Sequence, residues 1–255
     1  LLDDANETIT IDGSTFALTD GATGLTTTNE MTYTVAVVNG TATVSLLKAT
    51  GITSSAAEIL VNSIQYQNIS VDDPSAGNRV FTLVSVQDSG VGTTDTTSLN
   101  IVSTVVVAAI NDTPTLIATA TTNTFTEGDN ATQGASVLVF TDALVSAVES
   151  AQMIKSLTFT VAGLRDGVNE KVILDGITFS LVNGSSGMTV INGMNYAVVV
   201  TNDTATVTLT KATGITSNAA TTLVNSIEYK NTNVEDPSSG NRVFTLTQVV
   251  DTGAD

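Results

Sequence analysis

Carboxylates are the side chains of this sequence whose number and spacing suggest chemistry. The 255 residues include 25 Asp and Glu against eight Lys and Arg, giving a formal net charge of −17 at pH 7, and there is no His or Cys. Carboxylate, Asn and Thr oxygens suit a hard cation such as Ca²⁺, whereas the simpler alternative is that the acidic excess serves solubility. The missing His and Cys exclude zinc-thiolate sites and Ser-His-Asp or Cys-His catalysis.

Three groups of carboxylates are candidates for calcium by spacing alone. Asp4 with Glu7, and Asp166 with Glu170, precede predicted strands, where two carboxylates can share one ion that takes six to eight oxygens. The acidic, Gly-containing segment from Asp88 to Asp95 (DSGVGTTD) is the third, although it matches neither the EF-hand loop nor the Gly-Gly-x-Gly-x-Asp repeat. Solvated loops are the alternative interpretation of all three.

Two further acidic residues invite a structural interpretation. Asp73 and Asp236 each precede Pro, and each is followed six residues later by an arginine, Arg79 or Arg242. Either Asp caps a turn or pairs with its arginine, and the repeated spacing favours an ion pair that clamps a loop.

The composition gives little support to an enzymatic or a membrane function. Paired carboxylates hydrolyse glycosides across a cleft lined by sugar-stacking aromatics, but the chain has no Trp and only four Tyr. The negative charge repels nucleic acid and anionic membranes, and no stretch approaches the roughly 18 apolar residues of a membrane span. We therefore expect no enzyme, no nucleic-acid partner and no membrane insertion.

The elements that position these residues are predicted to be antiparallel strands. Hydrophobic residues make up 42% of the chain but aromatics only 4%, so the β-branched and small aliphatic residues dominate. Tyr33 to Val38 and Thr41 to Leu46 alternate on either side of Asn39-Gly40, which predicts a type I′ hairpin, and Asp12-Gly13 predicts a second. Regular short strands separated by turns favour a β-sandwich of the cadherin or immunoglobulin kind.

Further elements follow from the same patterns. Apolar spacing and polar caps predict a helix over Thr53 to Ile64 with a capping box at Ser55 and Glu58, and a second helix over Thr216 to Ile227. The additional predicted strands are Val80 to Val86, Leu99 to Ala108, Leu116 to Phe125, Ser136 to Phe140 and Ser156 to Val161.

The chain contains an internal duplication. The motif KATGITS at Lys48 to Ser54 and the motif GNRVFTL at Gly77 to Leu83 both recur 163 positions later, and 50 of 84 positions are identical between 7–90 and 170–253. We therefore predict two β-sandwich repeats of about 163 residues, 1–112 without its N-terminal strands and 113–255 without its C-terminal strand. The out-of-phase ends lead us to expect a window of a longer tandem array.

Several motifs also match a known class of repeat: NDTP (Asn111 to Pro114), FTEGD (Phe125 to Asp129), DDANE (Asp3 to Glu7) with DGVNE (Asp166 to Glu170), and DDPSAGNRVFTL (Asp72 to Leu83). On these residues the chain resembles the cadherin-like or immunoglobulin-like tandem repeats of giant bacterial secreted or surface proteins, including RTX-type adhesins. The resemblance runs over essentially the whole chain.

The resemblance implies calcium between successive repeats. In cadherin-type repeats a linker of the form Asp-x-Asn-Asp and an early-strand Glu help bind the ion. Asn111 and Asp112 match the last two linker positions, Ala109 stands at the first, and Glu127 matches the Glu. Asn111, Asp112 and Glu127 are therefore expected to bind Ca²⁺, and the alternative is a polar turn capped by Asn or Asp.

Together these inferences predict an adhesive or structural spacer of a bacterial extracellular or cell-surface protein, stiffened by calcium. Two other functions fit the same sequence: a calcium-dependent carbohydrate- or partner-binding module, and a filament subunit that exchanges strands through an unpaired edge. The expected partners are neighbouring repeats of the same chain and, for a filament, other copies.

Overall fold

The computed structural model describes residues 1–90, 92, 95–129 and 132–253. The chain divides into two compact units, unit 1 (Leu1–Ile110) and unit 2 (Asn111–Asp255). The described regular structure is antiparallel strand apart from two nine-residue α-helices and two short 3-10 turns. The all-β prediction is therefore confirmed. Nowhere in the described residues is a helix long and apolar enough to cross a membrane.

Unit 1 contains eight described strands and one helix. Their bounds are β1 Glu7–Ile11, β2 Ser14–Ala17, β3 Thr23–Leu25, β4 Thr32–Val38, β5 Thr41–Leu47, α1 Ser54–Asn62, β6 Gln65–Asn68, β7 Gly77–Gln87 and β8 Thr96–Val107. The strands form three sheets, in the orders β2-β1-β6, β3-β4-β5 and β7-β8.

After four additional strands, unit 2 repeats the elements of unit 1 from β1 to β7, and its described residues contain no counterpart of β8. The bounds are β9 Thr115–Ala120, β10 Val137–Leu138, β11 Phe140–Ser146, β12 Ile154–Ala162, β13 Glu170–Leu174, β14 Ile177–Ser180, β15 Ser186–Met188, β16 Asn195–Thr201, β17 Thr204–Ile215, α2 Ser217–Asn225, β18 Glu228–Asn231 and β19 Val243–Asp251. The sheets are β10-β18-β13-β14, β11-β9 and the five-stranded β15-β16-β17-β12-β19.

The predicted hairpins are confirmed. Strands β4 and β5 pair in the expected register, from Val38 opposite Thr41 to Thr32 opposite Leu47. Asn39 and Gly40 between them have φ of 49° and 73°, the left-handed values that a type I′ turn requires. The β1–β2 hairpin turns at Asp12 with φ of 50° and Gly13 with φ of 78°.

Both helices begin where the sequence predicts, but the predicted capping box is wrong. The N-cap of α1 is Thr53, whose side chain accepts a hydrogen bond from the Ala56 amide at 3.2 Å. Ser55 and Glu58 therefore lie inside the helix. A hydroxyl at the true N-cap satisfies one of the free amides of the first turn, so no second capping pair is needed.

Two predicted strands differ from the structure. β9 ends at Ala120 and not at Phe125, because the Thr121 hydroxyl donates to the Leu138 carbonyl at 2.6 Å and ends the regular ladder with a side-chain bond. The predicted strand from Ser136 to Phe140 is two strands in different sheets. Between them, the Val139 amide donates to the Ile227 carbonyl at 3.1 Å.

Each unit has its own aliphatic core. Leu157, Phe159 and Val161 alternate along β12 and are at most 2% exposed, as expected for the central strand of a sheet with one covered face. The smaller core of unit 1 is formed by Ile9, Ile11, Phe16, Leu18, Val35 and Leu60.

Candidate functional site

A buried arginine in unit 1 meets one of the candidate carboxylates, Glu7, together with Asp3. Arg79 Nη2 donates to Asp3 Oδ2 at 2.8 Å and to the Ser75 carbonyl at 2.9 Å, and Arg79 Nε donates to Glu7 Oε1. The three charged side chains are at most 8% exposed. We call Asp3, Glu7 and Arg79 the unit 1 clamp.

The elements explain why these residues converge. Glu7 is the first residue of β1 and lies opposite Asn68 of β6, while Arg79 is the third residue of β7. Asn68 Nδ2 donates to Asp3 Oδ2 at 2.6 Å, and the Ser75 amide donates to Asp3 Oδ1 at 3.0 Å. Burial disfavours the charged carboxylate, but the hydrogen bonds from Ser75 and Asn68 and the charge of Arg79 outweigh it, so the pKa of Asp3 is lowered.

Unit 2 contains the equivalent clamp, 163 residues later. Arg242 Nη2 lies 2.6 Å from Glu170 Oε1 and 3.4 Å from Asp166 Oδ2, and these side chains are at most 7% exposed. Burial again opposes the charge of Asp166, but hydrogen bonds from Ser238 and Asn231 and the charge of Arg242 lower its pKa. We call Asp166, Glu170 and Arg242 the unit 2 clamp.

A tyrosine lies beside each clamp, and its pKa is raised there. Burial, with the nearby charge of Glu170, raises the pKa of Tyr229 to about 12. Burial and the hydrogen bond that Tyr66 donates to Glu7 Oε1 at 3.0 Å raise the pKa of Tyr66. Both rings remain neutral at physiological pH and border a fully paired arginine.

The clamps change the interpretation of the predicted carboxylate pairs. Asp3, and not Asp4, stands with Glu7, because Asp4 is an exposed residue in a 3-10 turn with φ of 47°. The spacing of Asp73 and Arg79 predicted an ion pair within that loop, and the structure places the carboxylates of Asp3 and Glu7 at the guanidinium. In unit 2 the cation beside the predicted pair Asp166 and Glu170 is likewise an arginine.

A second cluster of oxygens lies where the chain enters unit 2. Asn111 precedes β9, Glu149 and Gln152 occupy the turn between β11 and β12, and Asp251 ends β19 opposite Ile154 of β12. We call Asn111, Glu149, Gln152 and Asp251 the oxygen cluster.

One side-chain hydrogen bond joins Gln152 to Asn111, and the carboxylates of Glu149 and Asp251 accept from nearby backbone amides. Gln152 Nε2 donates to Asn111 Oδ1 at 2.7 Å, and the Asp112 amide donates to Glu149 Oε1. The Gly253 amide donates to Asp251 Oδ1 at 2.9 Å. A Cβ at Gly253 would overlap Asn111 Oδ1 and approach Gln152 Oε1 to 2.6 Å, so the close approach of these groups requires glycine.

The oxygen cluster leaves three buried oxygens without a hydrogen-bond partner: Glu149 Oε2, Gln152 Oε1 and Asp251 Oδ2. Glu149 is 7% exposed and Asp251 is 2% exposed. Buried carboxylate oxygens are costly unless a donor or a cation meets them. An open depression of about 360 Å³, lined partly by Glu149, Gln152 and the first residues of α2, gives access from solvent.

The chemistry of the oxygen cluster fits a hard cation. It has two carboxylates and two amide oxygens, and its acidic members alone are too few, because no three Asp or Glu side chains converge as a metal-binding group in the described residues. Asn111 Oδ1 accepts the hydrogen bond from Gln152 Nε2. Two negative charges balance one divalent ion, and backbone or water oxygens complete its shell.

The other calcium candidates lie elsewhere. Glu127 is exposed and follows β9, whereas Asn111 precedes it, so β9 separates the two by its length. Phe125, two residues before Glu127, packs edge-on against Tyr229 at 5.8 Å, near the Val161 end of β12. Glu127 is therefore not brought to Asn111.

The acidic segment of unit 1 is described at its two ends, Asp88 and Asp95. The Asp88 amide donates to the Asp95 carbonyl at 2.9 Å, and Asp95 Oδ2 accepts from Gln87 Nε2 at 2.9 Å. Hydrogen bonds from the side chains of Gln87 and Thr96 lower the pKa of Asp95, which is partly exposed. Residues 91, 93 and 94 of this predicted calcium loop lie outside the described residues.

Sequence reasoning missed Glu149, Gln152 and Asp251. Asp251 could have been predicted from the sequence, because it is the equivalent of the candidate Asp88 at the repeat offset of 163. Glu149 and Gln152 have no equivalent within the chain, and neither lies in a recognisable motif. Comparison of the chain with protein-family models, with curated proteins and with solved structures gives no match.

Proposed function

We propose that the chain is a segment of an extracellular tandem-repeat spacer, built from β-sandwich repeats and stiffened by Ca²⁺ at the oxygen cluster. The observation that carries this proposal is the set of unpartnered buried oxygens of Glu149, Gln152 and Asp251 beside Asn111. The bacterial cell surface is the proposed setting, from the resemblance of the motifs to surface repeats.

Each side chain of the oxygen cluster has a separate part in this proposal. Glu149 and Asp251 supply the charge that neutralises the ion, and Asn111 and Gln152 supply neutral amide oxygens. Glu149 also accepts the amide hydrogen of Asp112 and so ties the entering chain to the turn before β12. Bound calcium would neutralise the cluster and restrict the backbone at residues 111–112, where unit 2 begins.

The paired clamps support a mechanical role. Each fixes the beginning of the first strand of the duplicated unit to the strand that follows a long loop, through a buried arginine with the same partners at the same offset. Such repetition is more simply explained by a shared scaffold than by two copies of a catalytic group. In each clamp one guanidinium meets two carboxylates, so a net charge of −1 remains, and Glu170 Oε2 of the unit 2 clamp is a buried oxygen without a hydrogen-bond partner.

The calcium proposal predicts opposite effects of one substitution in two buffers. Glu149→Gln and Asp251→Asn should raise the melting temperature of unit 2 in chelator, because each removes a buried, uncompensated charge. With Ca²⁺ at 100 times its Kd, the wild type should gain about 2.7 kcal/mol, or roughly 5–10 °C, and both variants should lose that gain. Differential scanning calorimetry of the whole chain measures both effects.

Asp88→Asn is the matched control, since Asp88 occupies the equivalent position on the surface of unit 1. It should keep the full calcium response. A response of wild-type size in the Glu149→Gln/Asp251→Asn double variant would contradict the proposed site, as would a wild type that ignores Ca²⁺.

A further inference from the structure

The turn that carries Glu149 into the oxygen cluster is strained. Val148 has φ of 70°, and the Glu149 amide donates to the Ala147 carbonyl at 2.9 Å. A hydrogen bond between residues two apart, around a central residue with φ near +75°, defines a γ-turn of the rare and strained kind. We call residues 147–149 the γ-turn.

Valine is an unusual central residue for this γ-turn. In the described part of the chain, the other non-glycine residues at positive φ are Asp, Asn or Glu. A β-branched side chain at positive φ is a genuine outlier, because its crowded Cβ clashes with the neighbouring backbone. Strained backbone of this kind persists only where the surrounding structure fixes it.

Two serine hydroxyls hold the γ-turn. Ser217 Oγ, on the first residue of α2, accepts the Ala147 amide at 3.1 Å. Ser146 Oγ accepts the Val148 amide at 3.0 Å. Ala147 is 1% exposed, so packing also fixes the residue that begins the turn. The strain at Val148 is therefore maintained by contacts made on its N-terminal side.

The γ-turn determines where the Glu149 carboxylate lies. Rotation of φ at Val148 to the usual negative range would reorient the backbone of Glu149 and its side chain with it. The open depression of about 360 Å³, which Val148 and Glu149 both line, leaves room for that rotation. Burial of Glu149 Oε2 without a hydrogen-bond partner also favours it. The hold on the turn therefore opposes both the strain and the cost of burial.

We propose that Ser217 is a positioning residue of the calcium site, because its hydroxyl holds the strained γ-turn and so keeps Glu149 in the oxygen cluster before calcium binds. Without this hold the turn relaxes, and calcium has to restore the strain on binding. A site held in its binding geometry in advance avoids that cost. The inference rests on the proposed function and adds a residue that sets the calcium affinity.

Isothermal titration calorimetry of the full chain with Ca²⁺ tests the hold. Ser217→Ala should raise the Kd about threefold to tenfold, the effect of losing one ordinary hydrogen bond. Val148→Gly should bind within about twofold of the wild type, because glycine adopts positive φ without strain. The double variant Ser217→Ala/Val148→Gly should return to within about twofold of the wild-type Kd, because no strain then drives the turn to relax.

Ser54→Ala is the matched control, because Ser54 is the equivalent first residue of α1. It should leave the Kd unchanged. The double variant also separates positioning from direct ligation, since a lost calcium ligand at Ser217 would not be replaced by glycine at position 148.

Hydrogen exchange in chelator follows the γ-turn without calcium. The Glu149 amide should exchange faster in Ser217→Ala than in the wild type and should regain protection in the double variant. Unchanged exchange or an unchanged Kd in Ser217→Ala would overturn this inference and leave the calcium site standing, as would a raised Kd that persists in the double variant. A wild type that binds no Ca²⁺ would overturn the proposed site and this inference together.

Discussion

Units 1 and 2 carry much the same sequence over the duplicated region but bury it to different extents. Both contain the hairpins, the nine-residue helix and the arginine clamp. Ala205, Val207 and Leu209 are fully buried in unit 2, and their equivalents Ala42, Val44 and Leu46 are only half-buried. Local sequence thus determines the elements, whereas the strands that pack over them determine the core.

The clamps should behave alike, because both are buried and have equivalent partners. Arg79→Met and Arg242→Met each leave two carboxylates unpaired in the protein interior, which should cost about 3–5 kcal/mol of unfolding free energy. Denaturant titration measures this cost. Arg165→Met is the control, since Arg165 is exposed and should change stability by no more than about 0.5 kcal/mol.

A loss below 1 kcal/mol for either clamp would contradict the burial of its charges. Combining Arg242→Met with Glu170→Gln and Asp166→Asn should recover part of the loss, because the unpaired charges are removed together with the guanidinium.

Truncation of equivalent valines should destabilise unit 2 more than unit 1. Val224→Ala removes methyl groups from a fully buried position and should cost about 2 kcal/mol, while Val61→Ala, at a 43% exposed position, should cost less than about 1 kcal/mol. The measurement is again denaturant unfolding. Equal costs would mean that α1 is covered as well as α2 in solution.

Acid should weaken both units through their clamps. The pKa values of Asp3 and Asp166 are lowered in the folded state, so their contribution is present above the unfolded value of about 3.9 and is lost as the pH falls through the folded-state pKa. Melting temperatures between pH 6 and pH 2 should therefore decline below roughly pH 4. Asp166→Asn should reduce this decline for unit 2, and an unchanged decline would assign it to other groups.

The features that could be predicted from the sequence are those that depend on residues close together in the chain. Asn39-Gly40 between alternating runs is enough to predict a hairpin, and the apolar spacing from Ile52 to Ile64 is enough to predict α1. The register of 163 residues predicted the duplication. These features rest on backbone preferences that act within a few residues.

Long-range convergence was not predictable. Arg79 reaches Asp3 across 76 positions, and the pairing depends on the β1–β6 ladder that brings Glu7 beside Asn68. Glu149 becomes a candidate ligand only because the start of β12 and the end of β19 lie together beside Asn111. Glu127 was singled out by its motif alone, although the predicted strand from Leu116 to Phe125 already placed it after that strand and Asn111 before it.

The calcium-stiffened spacer is tested most directly by small-angle scattering of the whole chain in Ca²⁺ and in chelator. The account predicts that Ca²⁺ increases the maximum dimension or narrows the distance distribution of the wild type, that Asp251→Asn abolishes the change, and that Asp88→Asn preserves it. Identical scattering of the wild type in the two buffers would contradict it, and so would a calcium-dependent change that persists in Asp251→Asn.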